Sequence, residues 1–556
     1  MTERPKGHGC RRVQLPATKR SAPVEGQETS VCLPRLPSIG IGPTPNVARL
    51  HRRDSQESGM TGLQMALVGV LAAAIAACSP LSERSAARPG PPTSRLDSDL
   101  PHGAVEPVSR LEGIALEVKP LPDGPEALDA WLEALAEATQ SIDIKTFIFR
   151  SDPVGLAVQD ALLAAADRGV RVRVLLDDFF HRWEGGDLSQ LGAHPNVTLR
   201  LFNPHSRALP APLGFFAEFP RLNRRMHSKM LLIDGNLAIV GGRNIADEYF
   251  LKDPDTYFTD FDIRIEGADV GRFSAVFEAF WQDDLSARYR ESERSGKDEN
   301  LLLSTRSEPH GAAPGEDAAS HRNLPTFKAR ASLHADPPAR IRAAQSGQAG
   351  AVEAAFLTAL STARSDVFIV TPYLIPEPHG ARLLEALTAR GVSVTILTNS
   401  HASTNHPSVH AGYMRYRQRL LNAGVGIHEF RGHAVRRYEE GGVAYHPKVV
   451  MHTKLAVIDR TVSLIGSPNF DPRSLQQNAE LLMRIESPAL AAWLLDRYRR
   501  VAERYGYRLK IAPDGAELWE YRDRNGIRRR SSEPVGSFMD GAVTTFFRLF
   551  HFDQYL

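Results

Sequence analysis

The 556-residue sequence repeats one order of secondary-structure elements, and this duplication leaves few folds open to it. In the first copy, apolar periodicity predicts a helix that begins near residue 125, a strand at 141–149, a helix at 154–167 and a strand at 170–177. The same order returns over residues 352–399, and an Arg-Gly-Val turn recurs at the equivalent place, at 168–170 and again at 390–392. Strand–helix–strand units give parallel pairing and sheets that are covered by helices. The sequence therefore predicts an α/β fold in which one unit is used twice.

The first hundred residues differ from this repeated body. Residues 1–59 are rich in Pro, Ser, Gly and Arg and show no apolar period, which is typical of a disordered chain. The apolar run 65–77 is too short to span a bilayer and suits the core of a signal peptide, and the Ile-Ala-Ala-Cys sequence that ends at Cys78 resembles a bacterial lipobox. The alternative is a plain apolar patch in a disordered tail. Translation from Met60 would leave the region before the apolar run without a Lys or Arg.

Changes in composition and the repeat together predict five segments. These are a disordered N-terminus at 1–105 with the lipobox-like segment at 60–80, half 1 at 106–290, a linker at 291–323, half 2 at 324–510, and a basic and aromatic tail at 511–556.

Two copies of a His-x-Lys-x-x-x-x-Asp motif carry the most specific chemical signal. Their residues are His227, Lys229 and Asp234 in the first copy, and His452, Lys454 and Asp459 in the second. In both copies an Asn follows the His at the same spacing, as Asn244 and Asn469, within a Gly-small-x-Asn sequence that places Gly242 opposite Ser467. The repeated spacing makes coincidence improbable and indicates a shared chemical role.

These residue types suit the displacement of an alcohol from a phosphodiester in two steps. Negative charge grows on the phosphate oxygens, and two Lys and two Asn supply donors to them. One His can attack phosphorus to form a phosphohistidine, while the other protonates the leaving alcohol and then deprotonates the incoming one. We expect His227, Lys229, His452 and Lys454 to be catalytic, and Asn244, Asn469, Gly242 and Ser467 to bind the substrate. No cofactor or metal is expected.

An acidic residue is expected to hold the second nitrogen of each imidazole, because that contact fixes the tautomer. Glu480 follows His452 in the second copy and begins an apolar strand. Aligning the two Arg-Ile pairs places Asp260 opposite it in the first copy, with Asp262 as the fallback. Asp234 and Asp459 are kept among the candidate catalytic residues, although their positions at strand ends also suit structural ion pairs.

The doubled motif resembles the signature of the phospholipase D superfamily. Four segments narrow the similarity to the bacterial cardiolipin synthase C type: 221–229, 241–250, 396–413 and 466–474. The resemblance, which covers about residues 110–525, implies two similar α/β halves with one active site at their junction. It implies that His227 is the nucleophile and His452 the general acid and base. It further implies phosphatidyl transfer onto phosphatidylglycerol to give cardiolipin, with phosphatidylethanolamine or a second phosphatidylglycerol as the donor, at a membrane of the bacterial cell envelope.

Other functions remain open from the sequence. A phospholipase that uses water as the acceptor would carry the same motifs. A nucleic-acid phosphodiesterase would share the fold, but a formal net charge of +2 does not favour it, and no nucleic acid is expected as a partner. A catalytically inactive scaffold is disfavoured by the intact His, Lys and Asn of both copies.

Three further segments have two interpretations each. The loop with His401, His406 and His410 fits no tight metal-ligand spacing, and it could bind the acceptor alcohol or simply lie beside the site. The arginine cluster of Arg221, Arg224 and Arg225 could bind lipid phosphates or form a solvated basic surface. The basic and aromatic tail could lie in a membrane interface or pack on the body.

Overall fold

The computed structural model describes eleven stretches of the chain: 110–184, 188–205, 218–250, 252–253, 255–289, 321–342, 350–434, 438–440, 443–445, 448–523 and 525–549. All of them belong to one compact unit, Arg88–Leu556. The predicted disordered N-terminus, the segment around Cys78 and residues 291–320 of the predicted linker lie outside the described residues.

One sheet of eighteen strands forms the body, and four short strands lie outside it. The strands are β1 (Arg110–Leu121), β2 (Ser141–Thr146), β3 (Arg171–Asp177), β4 (Val197–Phe202), β5 (Lys229–Ile233), β6 (Leu237–Gly241), β7 (Thr256–Thr259), β8 (Asp262–Glu266), β9 (Ser286–Arg288), β10 (Phe327–Ala335), β11 (Asp366–Val370), β12 (Ser393–Asn399), β13 (Gly426–Phe430), β14 (Tyr438–Glu440), β15 (Val443–Tyr445), β16 (Lys448–Met451), β17 (Leu455–Ile458), β18 (Val462–Gly466), β19 (Leu481–Glu486), β20 (Gly506–Ile511), β21 (Glu517–Asp523) and β22 (Gly526–Arg530).

The strand pairings make the sheet nearly symmetric about its centre. Its order is β9–β4–β3–β2–β5–β6–β8–β1–β10–β19–β18–β17–β11–β12–β13–β20–β21–β22. The antiparallel pair β1–β10 joins the two halves. The strands β2, β3 and β4 pair in parallel, as do β11, β12 and β13. The prediction of a duplicated α/β unit with parallel pairing is confirmed.

Helices cover the sheet and join its strands. They are α1 (Gly124–Glu137), α2 (Pro153–Asp167), α3 (Asp178–Glu184), α4 (Ser189–Ala193), α5 (Phe219–Leu222), α6 (Ser274–Trp281), α7 (Ala339–Arg342), α8 (Ala351–Ser361), α9 (Glu377–Ala389), α10 (Pro407–Asn422), α11 (Pro488–Tyr505) and α12 (Phe538–Leu549).

The boundaries of α2 show how local sequence positions these elements. Asp152 caps the helix by accepting a 2.9 Å hydrogen bond from the Gly155 amide, and Pro153 occupies the first turn, where its missing N–H costs nothing. The helix ends before Gly169, whose φ of +91° lies in the left-handed region that favours glycine. The chain then turns directly into β3, which places the carboxyl ends of β2 and β3 side by side.

The helix α1 buries one face against the sheet. Ala127, Ala130 and Trp131 are buried on this face, whereas Leu128 and Leu132 are only partly buried at its edge. Small alanine side chains let a helix approach a sheet closely.

The predicted separation of a C-terminal tail at residue 511 is wrong. Residue 511 ends β20, and β21 and β22 continue the sheet of half 2 beyond it. The helix α12 packs on α10, where the Arg415 guanidinium donates to Phe547 O at 3.1 Å and Thr544 Oγ1 donates to Pro407 O at 3.2 Å. Of the two interpretations of this segment, packing on the body is the one observed. None of the helices in the described stretches has both the length and the apolar character needed to cross a membrane.

Candidate active site

Each motif histidine is presented by a segment that hydrogen-bonds to the other half. The His227 amide donates to Ala479 O at 3.0 Å, next to a parallel bridge between Met226 and Ala479. The His452 amide donates to Thr259 O at 2.8 Å, immediately after β16, which pairs in parallel with β7. Two motifs that are far apart in the sequence therefore meet at the junction of the halves, where both imidazoles line one cavity of about 530 Å³.

The carboxylates that hold the imidazoles are crossed between the halves. His227 Nδ1 lies 2.9 and 3.0 Å from the two carboxylate oxygens of Glu480, and His452 Nδ1 lies 2.5 Å from Asp260 Oδ2. An ionised carboxylate only accepts, so this contact favours the tautomer with the proton on Nδ1 and the lone pair on Nε2. At His452 the Lys454 Nζ also lies 2.7 Å from Nδ1 and competes for that nitrogen as a donor. The structure thus brings Glu480 and Asp260 to the imidazoles as predicted, but each holds the histidine of the opposite copy. The fallback Asp262 instead pairs with Arg243 at 3.1 Å.

Burial sets the protonation of these pairs. It lowers the pKa of His227 to about 4 despite the opposing effect of Glu480, and burial together with Lys454 lowers the pKa of His452 to about 3. Burial alone would raise the pKa of Glu480, but His227 and Lys229 outweigh it and bring that pKa to about 2. Both imidazoles are therefore neutral near pH 7, and their carboxylates are ionised.

Two buried lysines concentrate positive charge at the same place. Burial, with the repulsion of Lys454 among the further causes, lowers the pKa of Lys229 to about 7, and burial lowers that of Lys454 to about 8. Lys229 Nζ donates to His227 O at 2.5 Å, and Lys454 Nζ donates to His452 O. Each ammonium is thus fixed beside its own histidine, and a bound anion would relieve the repulsion between them.

The two asparagines line the cavity as predicted. Asn244 Nδ2 donates to the Tyr249 hydroxyl at 2.8 Å. In the described part of the chain, the Oδ1 atoms of Asn244 and Asn469 are buried without a hydrogen-bond partner. An amide oxygen only accepts, so these two atoms suit a hydroxyl of the substrate, while the second N–H of each Nδ2 is the group that can donate to a phosphate oxygen.

Gly242 and Ser467 contact the two carboxylates and are not placed to bind the substrate. A Cβ on Gly242 would lie 2.3 Å from Asp260 Oδ1, and Ser467 Oγ donates to Glu480 Oε2. Their backbone amides donate to Phe261 O and Leu481 O. Both residues therefore support the carboxylates from behind, which corrects their assignment to substrate binding. In half 1 an aspartate, Asp260, packs on a glycine, Gly242. In half 2 the longer Glu480 accepts a hydrogen bond from a serine, Ser467.

Asp234 and Asp459 lie away from the histidines, which corrects their inclusion among the catalytic residues. Each follows its Lys by five residues along a strand, roughly 16 Å at the usual rise. Asp234 accepts four hydrogen bonds from Thr139, Gln140 and Ser141, and Asp459 accepts from Arg364, Ser365 and Asp366. The contacts of Asp234 join the turn before β2 to the β5–β6 hairpin, and those of Asp459 join the turn before β11 to the β17–β18 hairpin. The donors are amides and hydroxyls, and not the predicted ion-pair partners.

Replacing Asp234 with alanine is expected to destabilise the fold by about 1–3 kcal/mol without lowering turnover, because it removes hydrogen bonds only at this turn. Hydrogen bonds from Ser141 and its neighbours overcome the effect of burial and hold the pKa of Asp234 below its usual value. The stabilisation is therefore present above the unfolded-state pKa and is lost as the pH falls through the folded-state pKa. Thermal unfolding midpoints of both proteins should converge as the pH is lowered. A folded variant with strongly reduced turnover would contradict this assignment.

The cavity wall beside His227 is aromatic. Phe147 contacts the imidazole edge-on at a centroid distance of 5.1 Å, and Phe179 and Phe180 pack on Phe147 and on each other. Beside His452 lie Tyr249 and Phe258, at centroid distances of 5.4 and 5.5 Å. These rings exclude water from the imidazoles and give the cavity apolar surface. The sequence gives no signal of this role, because aromatic residues are usually core residues.

The remaining candidate segments divide between the cavity and the scaffold. His406 lines the cavity, whereas His401 and His410 contact Thr544 and Glu533 of the C-terminal segment. No group of residues able to hold a metal is found among the described residues. Arg225 is fully buried in an ion pair with Asp177, so this part of the 221–225 cluster is structural rather than a basic surface.

Two buried charges behind Glu480 were not predicted. The Glu480 amide donates to Asp336 Oδ2 at 3.2 Å, and burial raises the pKa of Asp336 to about 6. The Lys145 ammonium lies 4.0 Å from the centre of the Phe280 ring, and burial lowers its pKa to about 7, although Glu480 and Asp336 favour its charged form. The signals in the sequence were a charged residue within β2, for Lys145, and one directly after β10, for Asp336.

Comparisons with known proteins show which family this chain resembles. The family described as "Cardiolipin synthase, PLD-like domain" matches residues 131–281 and 356–502. Cardiolipin synthase C of Escherichia coli (strain K12) is 32% identical over 446 residues, which cover 74% of this chain and 91% of that protein. Cardiolipin synthase B of Salmonella typhimurium is 27% identical over 69% of this chain and 80% of its own length. A crystal structure of a phosphatidylserine synthase from Haemophilus influenzae covers 72% of this chain and 90% of its own, with 16% identity and a TM-score of 0.49.

The family matches fall on both halves, and each matched region includes one of the histidines that line the cavity. The predicted family and the predicted α/β architecture of two similar halves are confirmed. The chain belongs to the cardiolipin synthase family of phospholipase D-like proteins, and it is a phospholipid phosphatidyltransferase of this type.

Proposed function

We propose that this chain makes cardiolipin from phosphatidylglycerol and a second phospholipid, through a covalent phosphatidyl–His227 intermediate. The observation that carries the proposal is the pair of crossed contacts in which Glu480 holds His227 and Asp260 holds His452. Each contact leaves one Nε2 available, and a two-step transfer needs one such nitrogen as nucleophile and another as proton carrier.

In the first step the donor phosphate lies between the buried lysines. His227 Nε2 attacks phosphorus, the bond from phosphorus to the headgroup oxygen breaks, and His452 Nε2 delivers its proton to that oxygen. Burial and the repulsion from Lys454 lower the pKa of His452, and the negative charge of the phosphodiester acts against both effects, so substrate binding favours the protonated form that this step requires. The low pKa of His227 keeps the nucleophile unprotonated.

In the second step an alcohol replaces the departed headgroup. The hydroxyl of phosphatidylglycerol attacks phosphorus, His452 Nε2 takes its proton, and the bond between phosphorus and His227 Nε2 breaks. Lys229, Lys454, Asn244 and Asn469 donate to the phosphate oxygens in both steps. The donor is phosphatidylethanolamine or a second phosphatidylglycerol.

The aromatic wall supports a lipid substrate. Phe147, Phe179 and Phe180 present apolar surface beside the nucleophile, where the glycerol backbone of a phosphatidyl group would lie. We further propose that the protein works at a membrane surface of the cell envelope, anchored by a lipidated Cys78. Labelling with a radioactive fatty acid tests the anchor, because label that persists after Cys78→Ser would rule it out.

Expression in bacterial cells that lack other cardiolipin synthases tests the function. The intact protein should restore cardiolipin, and the double variant His227→Ala, His452→Ala should not, although both are expressed equally. Accumulation of phosphatidic acid without cardiolipin would instead identify water as the acceptor and favour a phospholipase. A well-expressed intact protein that changes neither lipid would exclude both activities.

Replacing Glu480 with glutamine is expected to slow turnover by about 10²–10³-fold, because a neutral amide that can also donate replaces the carboxylate that fixes the tautomer of His227. Since Glu480 raises the pKa of His227, its loss should also move the acid limb of the kcat/KM profile to lower pH. The matched variant Asp260→Asn should impair the proton transfers of His452 instead. An acid limb that moves upward in Glu480→Gln would contradict the crossed assignment.

A further inference from the structure

Arg473 is a cation on the cavity wall that the proposed chemistry does not use. It begins a π-helical turn, Arg473–Gln477, whose end is fixed by a 2.9 Å hydrogen bond from the Asn478 amide to Arg473 O. Its half-buried side chain lines the same cavity as both histidines. Within the described stretches its guanidinium forms neither an ion pair nor a side-chain hydrogen bond, and the nearby carboxylate of Asp471 accepts from the Ser474 amide.

The repeat shows that this charge is specific to half 2. At the sequence offset that relates His227 to His452, the position matching Arg473 is Glu248. Glu248 pairs with Arg150 at 3.0 Å, so the same part of the wall in half 1 contains a neutralised pair. The position that matches Arg150 is Ile375, and half 2 therefore has the cation without its partner. In half 2 the charge nearest to Arg473 on the cavity wall is the carboxylate of Asp471, with which it interacts electrostatically without forming an ion pair.

The surroundings of Arg473 are polar, in contrast to the aromatic wall beside His227. His406, Tyr373 and Asn405 line the cavity with it, and the Tyr373 hydroxyl donates to Asn405 Oδ1 at 2.8 Å. The Tyr373 ring contacts His406 edge-on at 5.5 Å. Burial and the charge of Arg473 lower the pKa of His406 to about 4, which keeps this imidazole neutral and able to accept a hydrogen bond.

We propose that Arg473 binds the phosphate of the acceptor phospholipid, while Tyr373 and His406 line the path of its headgroup glycerol. The inference rests on the proposed function, because phosphatidylglycerol carries a phosphodiester at the far end of the glycerol whose hydroxyl reacts. The proposed function assigns the buried lysines beside the two histidines to the phosphate that is transferred, so the second anion needs a further cation, and Arg473 is a cation that lines the cavity. A guanidinium suits that role, since it can donate two parallel hydrogen bonds to a phosphate. Water and free glycerol have no phosphate and would not use Arg473.

Competition between two acceptors tests the proposal. The full-length enzyme is incubated with mixed micelles of phosphatidylglycerol and phosphatidylcholine in the presence of radiolabelled glycerol. Phosphatidylglycerol as acceptor gives cardiolipin, and glycerol as acceptor gives labelled phosphatidylglycerol. Both products arise from one phosphatidyl-enzyme, so their ratio is independent of donor binding and of the first chemical step.

The variant Arg473→Gln is expected to lower the ratio of cardiolipin to labelled phosphatidylglycerol by about tenfold or more, as loss of a charge-assisted contact would. Arg473→Lys should give an intermediate ratio, because it keeps the charge without the fork. Arg272→Gln, which removes an exposed charge paired with Asp269 outside the cavity, should leave the ratio unchanged.

The other outcomes separate this inference from the proposed function. An equal fall of both products in Arg473→Gln would overturn the acceptor site and assign Arg473 to the common chemistry or to folding. An unchanged ratio would overturn it as well, while cardiolipin formation by the unaltered enzyme would leave the proposed function intact. If the unaltered enzyme forms labelled phosphatidylglycerol but no cardiolipin, an acceptor phosphate site is excluded together with that function.

Discussion

Replacing His227 with alanine is expected to abolish the covalent phosphatidyl-enzyme and to reduce turnover on the order of 10⁴–10⁶-fold, the loss typical of a removed nucleophile. The imidazole is the group whose Nδ1 is held by Glu480, so its Nε2 is the nitrogen that can attack. A phosphatidyl ester of p-nitrophenol is a suitable donor, because its leaving group departs without a proton. The unaltered enzyme should release a burst of nitrophenolate, and the variant should release none.

The covalent product of that burst identifies the nucleophile directly. Acid-labile and alkali-stable label should map to the peptide that contains residue 227, since phosphorus bound to an imidazole nitrogen has this stability. A folded His227→Ala protein that still gives the burst would transfer the nucleophilic role to His452. Thermal unfolding provides the control, because His227 is partly exposed to the cavity and its loss should change the midpoint little.

Replacing His452 with alanine is expected to trap the intermediate that the first variant cannot form. With a natural phospholipid donor, turnover should fall on the order of 10³–10⁴-fold, because neither the leaving nor the attacking alcohol has its proton carrier. With the nitrophenyl donor the first step needs no proton, so the variant should give one equivalent of nitrophenolate and then stop. Nitrophenolate release is followed over time, and the amplitude of the burst is compared with the steady-state rate that follows it.

The pair of variants distinguishes the two histidines, although the structure surrounds them similarly. A burst from His452→Ala and none from His227→Ala assigns the roles as proposed, and the reverse pattern would exchange them. If His452→Ala turned over the nitrophenyl donor repeatedly at the normal rate, a second base would have to activate the acceptor, and His452 would lose its proposed role in the second step.

The limits of the sequence are clearest at the acidic residues. Aligned Arg-Ile pairs were enough to select Glu480 and Asp260, because a repeated unit keeps equivalent side chains at equivalent strand positions. The alignment could not show that each holds the histidine of the other copy, since this depends on how Met226 meets Ala479 and how β16 meets β7. Those contacts join residues from different halves of the chain, and local patterns carry no information on them.

The sequence assigned too much chemistry to four other motif residues. These are Asp234, Asp459, Gly242 and Ser467. Their place in a repeated motif suggested chemistry, but a repeat preserves turns as faithfully as it preserves active sites. At Asp234 the positive φ of 51° and the hydrogen bonds to the turn before β2 explain the repetition without any substrate. At Ser467 the explanation is the hydrogen bond to Glu480.

The sequence by itself determined the duplicated α/β unit and the family, and it selected the His, Lys and Asn of each copy as candidate site residues. Periodicity, spacing and residue type are local properties, and they can be read directly from the order of the residues. Only the tertiary structure decided which carboxylate holds which imidazole, which motif residues face the cavity, and that Arg473 lies there as the unmatched counterpart of Glu248. The physical reason is that burial, hydrogen bonding and charge are set by neighbours in space. In this protein those neighbours come from two halves whose backbones pair at one junction, where β16 pairs with β7 and Met226 bridges Ala479.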